Sequence, residues 1–138
     1  MKKAILILSA INILFSACST TSESQCPDLI CTQEFRMVQV EFKGATGNNI
    51  AVNDFTAINK RTGESTIQNN EPSTVNTPGS YIVASDADLK ELSESGDAIV
   101  VSATNPETNK KSSAEIVVSG GKCACHITKL SGPSEIIL

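Results

Sequence analysis

Phe35-Arg-Met-Val-Gln-Val-Glu-Phe-Lys43 alternates from Arg36 onward. Val38, Val40 and Phe42 fall on one side, and Gln39, Glu41 and Lys43 on the other. Successive side chains of extended backbone point in opposite directions, so a period of two carried by β-branched and aromatic residues predicts a strand with one buried face. Gly44-Ala-Thr-Gly-Asn-Asn49 follows as turn chemistry, since Gly and Asn tolerate positive φ.

The same alternation of strand and turn continues along the chain. Asp54–Asn59 reads as a second strand, and Lys60-Arg-Thr-Gly-Glu64 turns it back to close a hairpin onto Ser65–Gln68. Asn69–Gly79, with two prolines, three asparagines and little to bury, is the longest irregular stretch. Ser80–Ala84 alternates again, with Tyr81 and Val83 opposite Ile82. Ser85 caps a short helix, Asp88 is its capping-box partner and Gly96 its left-handed stop, with Leu89 and Leu92 facing the sheet. Asp97–Thr104 and Lys111–Ser119 are strands joined by the turn Asn105-Pro-Glu-Thr-Asn109, with Ala114, Ile116 and Val118 on one face. After Gly120-Gly121 come a strand over Lys122–Lys129 and a closing strand over Glu135–Leu138. Short strands at this spacing predict an all-β fold, an immunoglobulin/transthyretin-like β-sandwich of about seven strands with one short helix.

The 138 residues suit one domain. Eleven basic and fifteen acidic side chains give a net charge of −4, which excludes the basic face a nucleic-acid binder uses. A charged fraction of 19% beside a hydrophobic fraction of 40% fits a folded chain.

The N-terminus reads as an address. Met1-Lys2-Lys3 is basic, and Ala4–Phe15 is apolar apart from Ser9 and Asn12. That run is too short for a membrane span of about 20 residues and has the form of a secretory leader. Leu14-Phe-Ser-Ala-Cys18 resembles a bacterial lipobox, with Phe15 where Leu is usual. The organisation is therefore a lipoprotein signal peptide over 1–17, a flexible tether over 18–25 and a β-sandwich domain over 26–138. Cys18 is the expected lipidation site, and its acyl chains make the membrane the first expected partner. Removing Lys2 and Lys3 with the leader leaves a net charge of −6.

The strand order and Gly79-Ser-Tyr-Ile-Val-Ala-Ser85 resemble carboxypeptidase regulatory-like domains, which are transthyretin-like sandwiches. The mature chain more closely resembles small envelope lipoproteins of Bacteroidota with no assigned activity. The matching residues are Cys31-Thr-Gln-Glu-Phe35, Gly47-Asn48, Tyr81-Ile-Val-Ala-Ser-Asp86, Cys125-His126 and Leu130-Ser-Gly-Pro133. The family has adjacent cysteines before the His, whereas Ala124 separates Cys123 from Cys125 here. The resemblance implies a fold and an envelope location, with the outer membrane favoured, and no reaction.

With Cys18 acylated, Cys26, Cys31, Cys123 and Cys125 form an even set, which beyond the membrane reads as disulfides in one of three connectivities. Pairing Cys123 with Cys125 is disfavoured, since residues two apart in a strand hold their Cβ atoms too far apart. Both other options staple the start of the domain to its penultimate strand. One bridge, Cys31 to Cys125, is the safer expectation, and pairing of Cys26 with Cys123 stays open. The alternative is a metal-handling lipoprotein using Cys26, Cys31, Cys123, Cys125 and His126 as soft ligands. A regular strand over Lys122–Lys129 would turn His126 away from both cysteines.

One His, no Gly-x-Ser-x-Gly and no phosphate loop leave little for catalysis, and no cofactor is expected. Asp86 and Asp88 are explained more simply by helix capping than by Ca²⁺. Tyr81 alone, without Trp, is a poor sugar platform. The reading is a non-catalytic envelope module that presents loops, Asn69–Gly79 foremost, to a protein partner.

Overall fold

The computed structural model describes residues 26, 28–67 and 77–138. The leader over 1–17, Cys18, the tether over 18–25 and most of the Asn69–Gly79 loop lie outside the described residues.

The strands form where period-two patterning meets a shared core. They are β1 (Met37–Lys43), β2 (Asn53–Asn59), β3 (Ser80–Ser85), β4 (Asp97–Thr104), β5 (Lys111–Ser119), β6 (Thr128–Ser131) and β7 (Glu135–Ile137). One sheet has the order β3-β1-β7 and the other β2-β4-β5-β6. All pairs are antiparallel except β1 with β7, where Glu41–Lys43 run alongside Glu135–Ile137 in parallel. The chain is an all-β sandwich of seven strands in two sheets.

The core lies between the sheets. Val38, Val40, Phe42, Tyr81 and Val83 enter it from the three-stranded sheet. Ala57, Ile99, Val101, Ala103, Ile116 and Val118 enter from the four-stranded one. Phe42, Phe55 and Tyr81 stack at 4.7 to 5.9 Å between ring centroids, Phe42 meeting both neighbours edge-on. Edge-on packing aligns the positive rim of one ring with the negative face of the next. The Tyr81 hydroxyl accepts from the Val52 N–H at 2.9 Å, pinning the exit of the β1–β2 loop.

Three expectations change. Lys122–Lys129 is not a strand: residues 122–126 turn and bend, and β6 begins only at Thr128. Gly121 sits at φ +102, and the Ile127 N–H donates to Asp86 rather than to a neighbouring strand. The helix before Gly96 is a single 3-10 turn, Asp86–Asp88, although its capping box forms as expected from Ser85 and Asp88. Leu92 still reaches the core and Leu89 packs against it. Of the expected return over Ser65–Gln68, the described residues 65–67 form no strand; Ser65 makes one isolated bridge to Ile58.

Candidate functional site

The strand directions give the sandwich two poles. The start of β1, the end of β3, the beginning of β4 and the end of β5 meet at one, with the N-terminal segment 28–36 strapped across it. The end of β1, the start of β3 and the β4–β5 turn meet at the other.

At the first pole the strap is held covalently. Cys26 pairs with Cys123, with Cα atoms 5.1 Å apart, and Cys31 pairs with Cys125 at 5.3 Å. The expected Cys31–Cys125 bridge is there, and the connectivity left open is closed by a second. The bend over 122–126 brings both sulfurs of that segment to the strap.

The same bend redirects His126. Its Nδ1 lies 2.7 Å from Asp86 Oδ2 and its Nε2 lies 2.9 Å from Thr32 Oγ1. Asp86 also accepts from the Arg36 N–H at 2.9 Å and the Ile127 N–H at 2.8 Å. Burial pushes the Asp86 carboxyl up, but those two N–H donors and the imidazole outweigh it and hold the group below the usual carboxylate range. One aspartate thus ties the strap, the end of β3 and the segment before β6 together.

A second carboxylate at this pole, Asp97 at the start of β4, is buried. Asp97 receives Arg61 Nε on Oδ1 and Nη2 on Oδ2, both at 2.7 Å, and Asn59 Nδ2 at 2.8 Å. The fork-shaped guanidinium, aided by Asn59, lowers this carboxyl to about 2 despite its burial.

The sulfurs that the metal alternative requires are taken up in S–S bonds. Among the described residues, no group of three or more His, Cys, Asp or Glu side chains is arranged to hold an ion. Asp86 and Asp88 likewise have other partners: His126 and two N–H groups for the first, the Ser85 N–H at 2.8 Å for the second.

No protein-family model, curated protein or solved structure matches this chain.

The opposite pole carries a cleft of about 440 Å³. Its walls are the β1–β2 loop (Gly44 to Ala51), the β4–β5 turn (Asn105 to Thr108) and Leu138. The loop closes on itself through the Gly44 N–H to Asn48 O at 2.9 Å. The turn is organised by buried Asn105, whose Oδ1 accepts from the N–H groups of Glu107 and Thr108 at 2.9 and 3.1 Å. Gly79, where the Asn69–Gly79 loop ends, lies against this pole with φ +80. A Cβ there would sit 2.8 Å from Ile50 O, so only glycine fits. Sequence reading located both turns but not the cleft, because its walls are far apart along the chain. The His126–Asp86 contact, across 40 residues, also left no local signal.

Proposed function

We propose that the chain is a non-catalytic, lipid-anchored module of the bacterial envelope, in the outer membrane, and that its pole opposite the anchor binds a protein partner. The carrying observation is the position of the two disulfides. They fix Cys26, the described residue nearest to Cys18, at one pole, while the cleft and the end of the Asn69–Gly79 loop occupy the other. An anchor at one end presents the loops of the other end away from the membrane. The resemblance to small Bacteroidota lipoproteins and to transthyretin-like sandwiches supports the same reading.

Thr32, His126 and Asp86 form a hydroxyl–imidazole–carboxylate chain. We read it as a cross-link rather than a nucleophilic triad: the His126 side chain is only 9% exposed, and the cleft does not include it. The β4–β5 turn and the Asn69–Gly79 loop, each replaced by Gly-Ser residues in the lipidated protein, test the binding face. Loss of a captured envelope protein is expected with at least one replacement. Capture of every partner by the chain carrying both would sink the reading. Release of a Cys18→Ala chain from the membrane fraction tests the anchor separately.

A further inference from the structure

The strap carries three of the six large apolar side chains that the described residues leave exposed; Leu130 and Ile137 lie elsewhere, on β6 and β7. Leu29 is 50% exposed, Ile30 wholly exposed and Phe35 61% exposed, and Met37 at the start of β1 is 44% exposed. Leu29 and Ile30 lie between Cys26 and Cys31, and each of those cysteines is bonded to the 123–125 segment. The two bridges close a small ring around the pair. An unconstrained segment could fold an isoleucine back against the core, but this ring holds it outward.

We propose that the Leu29–Ile30 tip inserts into the headgroup–acyl boundary of the bilayer that holds Cys18, so that the domain stands on the membrane by its strapped pole. This rests on the lipid-anchor reading above. The chain from Cys18 to Cys26 reaches at most about 30 Å even when fully extended, so an acylated Cys18 confines the strap to within that distance of the bilayer and keeps the tip at a high local concentration beside it. Exposed apolar side chains at that depth are transferred out of water on contact. The ring orders the tip in advance, so insertion loses little conformational freedom. Asp28 and Glu34 flank the tip and the chain is acidic overall, so the contact is apolar and does not depend on anionic lipid. Added salt therefore leaves it in place.

The sequence contains no Trp, so one introduced Trp is a sole reporter. The acylated full chain carrying Ile30→Trp would be placed in vesicles of phosphatidylcholine and phosphatidylethanolamine, with and without dibrominated phosphatidylcholine. Glu107→Trp, in the β4–β5 turn at the other pole, is the control. The expected result is blue-shifted emission from Ile30→Trp that loses most of its intensity to the bromine atoms, with neither change for Glu107→Trp. Leu29→Trp repeats the measurement should Ile30→Trp fail to fold. Emission from the tip that stays red and open to acrylamide overturns the proposal. So does a blue-shifted tip that bromine does not quench, since a protein or a second copy would then cover it. The mass of Cys18 reports the anchor independently: a chain without acyl groups refutes the anchor reading, whereas an acylated chain with a solvated tip refutes only this one.

Discussion

At the strapped pole, two disulfides and two carboxylates, partly exposed Asp86 and buried Asp97, hold segments that are distant along the chain. At the cleft pole, the closures are turn hydrogen bonds around Asn105 and Gly44, together with one glycine that admits close approach. The first set is covalent or charge-assisted and ties specific residue types together. The second uses mostly backbone groups, which many side chains can accompany. A pole closed in this second way can change its surface residues with little cost to the fold, which suits a binding face.

The sharpest test of this contrast is removal of the bridges. Closing a loop of about 95 residues contributes about 5 kcal/mol in the chain-entropy treatment. Once one bridge exists, the other closes only the small ring that includes Leu29 and Ile30 and contributes about 2–3 kcal/mol. Urea denaturation should therefore show a loss of about 2–3 kcal/mol when either Cys26 and Cys123 or Cys31 and Cys125 are replaced by Ser. Replacing all four should lose about 7 kcal/mol. A loss for all four that only equals the sum of the two single-pair losses would mean that the bridges do not share a loop.

Asp97→Asn comes next. A carboxyl held at about 2 in the fold, against ~3.9 unfolded, contributes stability that is complete above about pH 4 and lost as pH falls through about 2. The substitution should cost about 2 kcal/mol near neutral pH, and the gap to the parent should narrow as pH falls across that window. A gap that does not change with pH would remove the charge-assisted account of this pole.

Asn105→Ala probes the cleft pole. It leaves the Glu107 and Thr108 N–H groups without their acceptor and should cost about 1–2 kcal/mol in the same denaturation series. Thr46→Ala and Glu107→Ala, both on exposed walls of the cleft, should stay within about 0.5 kcal/mol of the parent while altering partner capture. A loss at these walls as large as the loss of a bridge would erase the distinction between the poles.

Local pattern made much of the sandwich legible. Val38, Val40 and Phe42 are buried as their alternation requires, and the Ser85–Asp88 box forms because all its parts lie within four residues. The cysteines were legible as a set, but four positions alone do not define two partners. Lys122–Lys129 misled because its extended-looking composition is overruled by bonds to Cys26, Cys31 and Asp86, none of them local. The cleft was illegible for the same reason: residues around 45, 106 and 138 become neighbours only when both sheets are built.

The parallel pairing of β1 with β7 also bears on timing. A chain delivered N-terminus first presents Met37–Lys43 long before Glu135–Ile137 arrives, so the three-stranded sheet must wait for residues 135–137. Both S–S bonds join the same two ends of the domain, so oxidation waits as well. A truncated chain therefore lacks both the closing strand and the sealing bonds. Completion of the fold becomes a late, all-at-once event, and an unfinished copy stays open to proteases.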